Sequence, residues 1–288
     1  MITITLPAYA KLNLTLDILS KRADGYHDLS MVMQSISLHD DVTVTRSSLY
    51  ARWYNMFVCR CGDLPGDESN LAVKAAKAFF AATGIAPCGL IIDIKKRIPV
   101  QAGMAGGSAD AAAVLHALRK FFCTEMPIER LEKIGEAVGS DVPFCVRGGT
   151  ALAEGRGEKL TTLKAAPRFH VVVCKPDFSL STPSLFLRSD AMRLVNRPDT
   201  AGMVAAIEAG DPLGVSARVR NVFEAVLDEN ENAVFVIKER LLSLGAAAAA
   251  MTGSGPTVFG LFTDAQAAQT ACDTLKADYA QTYLAEFV

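Results

Sequence analysis

Polar and apolar residues alternate from the start of the chain. Ile2, Ile4 and Leu6 are separated by threonines, and Leu12, Leu14, Leu16 and Ile18 then alternate with Lys11, Asn13, Thr15 and Asp17. A period of two marks a strand with one buried face. Strands are therefore predicted over 1–6 and 12–18, with Val42 and Val44 continuing the signal. The polar side of the second strand reads either as a solvated face or as a place where Lys11 and Asn13, two apart and about 7 Å from each other, act together. From Leu71 a helix is predicted to about Thr83, with Ser69 or Asn70 as its cap and Gly84 as its stop. The run 90–94 is rich in β-branched residues and predicts a strand. A glycine-rich turn then opens a long helix, roughly 108–122. Another helix is expected over 127–138, where Pro127 is tolerated in the first turn and Gly139 follows the end.

Glycines and charges over 148–159 predict a hairpin, and the pattern loosens over 160–167. The boundary between two domains, 1–163 and 164–288, is placed there. The second half reads as a strand at 170–174, helices, strands at 247–251 and 258–262, a helix over 265–279 and a closing strand at 283–288. That order matches a split βαβ, ferredoxin-like layout. The alanine run at 246–250 can equally be a helix end, since alanine alone does not decide it.

A chain of 288 residues fits two domains and can bury a core without staples. Its 29 Lys and Arg stand against 31 Asp and Glu, so it lacks the basic footprint of nucleic-acid binding. Of seven cysteines only Cys59 and Cys61 are close, as C-x-C, with no paired C-x-x-C. Buried thiols in a reducing compartment are the expected reading, ahead of zinc or disulfides. No run approaches a membrane span. The N-terminal residues lack a basic segment followed by an apolar stretch, so no signal peptide is expected and the cytoplasm is the expected location.

The chemistry concentrates in PVQAGMAGGSADAA, residues 99–112. Gly103, Gly106 and Gly107 allow a ligand to approach the backbone, and a helix start offers unpaired amides and partial positive charge to a di- or triphosphate. Ser108 can cap the helix or place its hydroxyl on phosphate or on a metal bound to phosphate. The spacing is neither G-x-x-x-x-G-K-[ST] nor G-x-G-x-x-G. Taken alone, the loop is also compatible with a tight strand-to-helix connection. A second cluster, Gly253-Ser254-Gly255-Pro256, reads by itself as a hairpin turn between strands.

Taken together, PAYAKLNLTLDI, ADGYHDLSMVMQSISLHD, IPVQAGMAGGSADAA, GSDVPFCVRGGTALAEGRGE and MTGSGPTVFGLF resemble the superfamily of galactokinase, homoserine kinase, mevalonate kinase and phosphomevalonate kinase. The resemblance runs from Pro7 to Phe262. It implies an α+β, two-domain kinase fold: an N-terminal ribosomal-protein-S5-like domain that binds ATP and a C-terminal ferredoxin-like domain on the substrate side. Gly25-Tyr26-His27 is similar to the member that phosphorylates a cytidine diphosphate-linked erythritol in non-mevalonate isoprenoid precursor synthesis. Other acceptors, such as homoserine or mevalonate, and a non-catalytic nucleotide-binding protein are the alternatives.

The resemblance implies Asp141 as general base and Lys11 as the group that holds the acceptor hydroxyl and stabilises developing charge. Without it, Asp141 in Asp-Val-Pro reads as a local helix cap. ATP is expected against Asn70, Lys96, Pro99, Gly103, Ala105, Gly106, Gly107 and Ser108. Mg2+ is expected with the nucleotide, its protein ligands unknown; Asp110 lies on the same helix but is not assigned to it. Tyr26, His27 and Phe186 are expected to hold cytosine by stacking and edge hydrogen bonds, while core packing is the plain alternative for Phe186. Asn13, Thr182, Gly253, Ser254 and Gly255 complete the substrate side. Gln101 and Ala105 depart from the family, standing where a small residue and a glycine are frequent, which bears on loop conformation. The protein is expected to act as a monomer or homodimer on a small molecule, with no nucleic-acid or membrane partner.

Overall fold

The computed structural model describes residues 2–47 and 57–288, so Met1, the first residue of the strand expected over 1–6, lies outside the described residues. The chain divides into two compact units, 1–10 with 39–98 and 105–148, and 11–38 with 99–104 and 149–288. Each unit collects separated stretches because two long strands, β1 (Ile2–Lys21) and β2 (His27–Ser47), pass through both. The two short strands expected at the N-terminus are thus one. β2 begins fifteen residues before its legible part at Val42. Residues 31–36 are all buried, and a strand covered on both faces loses its alternation.

In the first unit, β3 (Phe57–Arg60) and β4 (Gly89–Lys95) extend the sheet from β2, β4 antiparallel to β2 and parallel to β3. Helix α1 (Leu71–Thr83) lies between them in sequence; its start is fixed by Asn70, whose side chain accepts from the Ala72 amide at 2.9 Å, and its end by Gly84 in the left-handed region. α2 (Gly106–Phe122) packs on α1, and its buried residues include Ala109, Ala111, Ala112 and Ala113. Phe79 on α1 is fully buried, a contribution of about 1.5–3 kcal/mol. α3 (Ile128–Glu136) and α4 (Val142–Arg147) complete this unit, with Gly135 making room for Val142.

In the second unit, β5 (Thr150–Gly155) and β6 (Lys159–Thr162) form the expected hairpin, and β5 pairs with β2. There follow β7 (His170–Cys174), α5 (Thr182–Ala191), α6 (Thr200–Ala209), α7 (Pro212–Ser216) and the short β8 (Arg220–Asn221), which runs parallel to β1 with Thr15 opposite Arg220. The chain closes with α8 (Ala233–Ser243), β9 (Ala248–Met251), β10 (Val258–Phe262), α9 (Ala265–Lys276) and β11 (Thr282–Glu286). The second sheet has the order β11-β7-β10-β9, antiparallel throughout, as the split βαβ reading requires. Pairing with β10 decides the alanine run in favour of a strand. Among the described residues no helix is long and apolar enough to cross a membrane.

Candidate active site

From Lys11 to Asp17 the polar side of β1 is not solvated. Lys11 is 3% exposed, Asn13 and Thr15 are fully covered, and Asp17 is buried against Arg197 at 3.1 Å. This overturns the reading of a solvated face: alternation fixes which residues share a side, not what covers it. In the second unit the Lys11 ammonium donates to Asn13 Oδ1 at 2.7 Å and to the Gly103 carbonyl at 3.2 Å. The Lys11 amide donates to Met104 O. Asn13 is held in turn by Thr252, whose hydroxyl accepts from the Asn13 amide at 3.1 Å, and its Nδ2 meets Met31 Sδ.

The two glycine clusters, about 150 residues apart in sequence, pack backbone to backbone. Gly103 has φ +73°, and a Cβ there would overlap the Thr252 carbonyl oxygen and lie 2.9 Å from the Gly255 nitrogen. A Cβ on Gly253, at φ +56°, would lie 2.5 Å from Gly103 O. Only glycine allows that approach at those angles. Gly253-Ser254-Gly255-Pro256 is therefore more than a hairpin turn. Asn221, absent from the sequence reading, anchors it by donating to Met251 O and Gly253 O, both at 2.8 Å, while accepting from Phe223 N. Thr182 donates to Ser254 Oγ at 2.7 Å, joining two expected substrate residues. Pro99 is buried at the head of the loop.

The first unit holds the other part of the loop. α2 begins at Gly106, two residues earlier than expected, with Ala105 at the N-cap in left-handed conformation (φ 58°, ψ 30°) and no side-chain cap. Ser108 is inside the helix and is not its cap. Gln101 also has positive φ, 52°. Both departures from the family thus occupy backbone regions that favour glycine. The Asn70 amide is taken up by the α1 cap and by donation to Pro65 O at 2.8 Å. Asp141 occupies the N-cap position of α4, and its side chain makes no cap bond to that helix. Lys11 belongs to the second unit and Asp141 to the first.

Lys96 is bound by two carboxylates. Its ammonium pairs with Asp40 and, at 2.7 Å, with Asp110. Asp40, fully buried, also accepts the backbone amides of Arg97 at 2.5 Å and Ile98 at 2.8 Å. Asp110 Oδ1 is buried with no hydrogen-bond partner among the described residues. Burial, opposed by Lys96 and reinforced by Asp40, pushes the Asp110 carboxyl up to about 7. Burial also works against the Lys96 ammonium, but Asp110 and Asp40 outweigh it and hold its pKa above the ordinary lysine value. Lys96 is therefore held by paired carboxylates beside the start of α2 and is not a solvated surface lysine. Asp40 was missed, although it ends one of the segments that carried the resemblance.

The expected base-binding residues meet in the second unit. His27 is buried and stacks on Phe186, ring centroids 4.5 Å apart and planes 13° from parallel, and Phe186 meets Phe223 edge-on at 5.0 Å. A base inserted between two rings needs about 7 Å, twice the ~3.5 Å of carbon contact. His27 and Phe186 thus face each other and leave the ring edge of His27 as the group for recognition. Tyr26 is 56% exposed, with the Arg156 guanidinium 5.2 Å from its ring centre. His27 Nε2 lies 2.8 Å from Asp190 Oδ1, a partner that no sequence motif announced.

Two family models match the chain: the GHMP kinases N terminal domain over residues 70–149 and the GHMP kinases C terminal over 203–281. The 4-diphosphocytidyl-2-C-methyl-D-erythritol kinase of Clostridium novyi (strain NT) is 40% identical over 277 residues, covering 96% of this chain and 97% of that one. The protein of the same name from Clostridium tetani (strain Massachusetts / E88) is 40% identical over 281 residues, covering 98% and 99%. A solved structure of a 4-(cytidine 5'-diphospho)-2C-methyl-D-erythritol kinase is 30% identical, with a TM-score of 0.82 and 99% of both chains covered. Homoserine kinase from Cytophaga hutchinsonii, at 18% identity, a TM-score of 0.74 and 99% and 94% coverage, shares the fold.

Proposed function

Because the chain belongs to the GHMP kinases, and among them to the 4-diphosphocytidyl-2-C-methyl-D-erythritol kinase family, we propose that it transfers the γ-phosphoryl group of ATP to the C2 hydroxyl of 4-diphosphocytidyl-2-C-methyl-D-erythritol, in non-mevalonate isoprenoid precursor synthesis. Phosphoryl transfer asks for positioning and electrostatic stabilisation more than for covalent help. ATP lies with its phosphates against the backbone amides at the start of α2, from Ala105 to Ser108. Asp141 takes the proton from the C2 hydroxyl, the freed oxygen attacks the γ-phosphorus, and ADP leaves with the electron pair of the broken P–O bond. The Lys11 ammonium, oriented by Asn13, stabilises the negative charge that develops on the acceptor. Thr182 and Gly253 to Gly255 line the substrate, Tyr26 and the ring edge of His27 hold its cytosine, and Phe186 backs the His27 ring.

Among the described residues no group of three or more His, Cys, Asp and Glu side chains is placed to hold a metal. The Mg2+ expected with ATP binds through phosphate oxygens and water, with one or two carboxylates at most, and no step here runs through it. The substrate is a small diffusible molecule, and the reading places the enzyme in the cytoplasm.

The observation that most supports this function is the buried Lys11 ammonium set on the carbonyl of Gly103 in the glycine loop. The test is Asp141→Asn, with ADP release followed in the presence of the cytidylyl substrate. Turnover should fall by about 10²–10⁴ while ATP binding by calorimetry and the circular dichroism spectrum stay as in wild type; near-normal turnover would remove Asp141 from its role. Equal turnover with homoserine or mevalonate would overturn the choice of acceptor.

A further inference from the structure

Helix α5 grips one imidazole from two directions. Phe186 and Asp190 are four residues apart, hence on one face of the helix. Phe186 stacks on the face of His27, while the Asp190 carboxylate meets its Nε2 edge at 2.8 Å. Asp190 also pairs with Lys21 at 2.5 Å. Lys21 first, and His27 after it, hold the Asp190 carboxyl below its ordinary range. An ionised carboxylate only accepts hydrogen bonds. In the neutral form of the imidazole the hydrogen then sits on Nε2 and Nδ1 keeps a lone pair, because the bond made by one ring nitrogen sets the state of the other. Nδ1 makes no hydrogen bond among the described residues and is not among the sealed, unpaired atoms, so it is open to a ligand.

We propose that Asp190 is a positioning residue that sets base selectivity: by holding His27 as the Nε2–H tautomer it presents Nδ1 as an acceptor for the exocyclic amine of cytosine. Uracil, with a carbonyl oxygen at that ring position, would set acceptor against acceptor, and a site built around one hydrogen bond rejects the analogue that cannot make it. The inference rests on the reading of His27 as a cytosine contact. It adds a residue to that site which never touches the base.

Asparagine at 190 is not a neutral replacement. Its amide can turn an N–H toward Nε2, which moves the imidazole hydrogen to Nδ1 and favours uracil. The experiment compares kcat/KM for the cytidylyl and uridylyl forms of the substrate in wild type, Asp190→Asn, Asp190→Glu and Lys21→Met. Asp190→Asn should lower the cytidylyl-to-uridylyl ratio by about tenfold, the scale of one neutral hydrogen bond, through KM and with kcat within about twofold. Asp190→Glu, which keeps a carboxylate, should restore part of the ratio. Lys21→Met, which removes only the other partner of Asp190, should leave it unchanged. Two-bond proton–nitrogen spectra of the histidine rings, with the His27 signal identified from His27→Gln, should place the hydrogen on Nε2 in wild type. A hydrogen on Nδ1 there, or an unchanged ratio in Asp190→Asn, would overturn the proposal while leaving the kinase assignment intact. A wild-type protein that phosphorylates neither substrate, its His27 spectrum as expected, would instead bring down the functional reading, and base selectivity with it.

Discussion

Replacing Gly103 by alanine tests whether the two glycine segments support each other. At φ +73° an alanine pays about 1–2 kcal/mol for the left-handed conformation alone. Its Cβ would also overlap Thr252 O and sit 2.9 Å and 3.2 Å from the nitrogen and oxygen of Gly255. Those atoms have little room to yield. The Thr252 amide donates to Thr257 O and the Gly255 amide to Thr252 O, both at 2.9 Å, and Asn221 holds Gly253 O. The loop around residue 103 must move instead, and the bond from the Lys11 ammonium to Gly103 O is lost, about 1.5–3 kcal/mol for a charged donor. The expected destabilisation is about 3–5 kcal/mol, a large share of the 5–15 kcal/mol typical of a domain. It is read as a lower urea midpoint with unchanged slope. Turnover should fall about 10²-fold from a displacement of about 1 Å. The reciprocal change two residues on, Ala105→Gly, relieves a strained φ of 58° and should raise stability by about 1 kcal/mol. If Gly103→Ala unfolds at the wild-type urea concentration and turns over at the wild-type rate, the backbone contact does not constrain the loop and the reasoning fails.

The Lys96 cluster predicts a pH effect of definite sign. With a folded pKa raised to about 7 against about 4 in the unfolded chain, Asp110 binds more protons folded than unfolded across that interval, so its contribution to stability declines as pH rises through it. Lys96, whose pKa is raised, stays charged throughout. Asp110→Asn, neutral at all pH and still an acceptor for Lys96, should therefore gain Tm relative to wild type between about pH 5 and about pH 8; a difference that does not change with pH contradicts the assignment. Asn221→Ala leaves Met251 O and Gly253 O without their donor and should cost about 2–4 kcal/mol in urea unfolding. Asn221→Asp, which cannot donate, should do no better, and a loss below about 0.5 kcal/mol in either variant would show the anchor to be dispensable.

Elements whose pattern is local were legible in the sequence. α1 starts and stops where Asn70 and Gly84 predict, and β7 and β10 have the predicted ends, because caps and apolar runs act over a few residues. Other features depend on distant parts of the chain. The alternation of Lys11, Asn13, Thr15 and Asp17 is visible, yet their burial needs Thr252, Val32 and Arg197. Gly253 resembled an ordinary turn because its tight neighbour is Gly103. Ser108 preceded a helix as a cap should, but the left-handed Ala105 starts the helix earlier. Asp190 and Asp40 carry no pattern of their own; each is recognisable only by the side chain it meets.

The start of α2 has a consequence for the lifetime of the protein. α1, α5, α6 and α9 each begin with a side-chain oxygen that receives a backbone amide; α2, seventeen residues long, begins with a methyl group. A nucleotide bound there, as proposed, would satisfy donors that no side chain caps, and occupancy and folding would then be thermodynamically linked, by about 2.7 kcal/mol when ligand stands at a hundred times its dissociation constant. Well-fed cells would hold the enzyme in its sturdier state, and starvation would hasten its turnover.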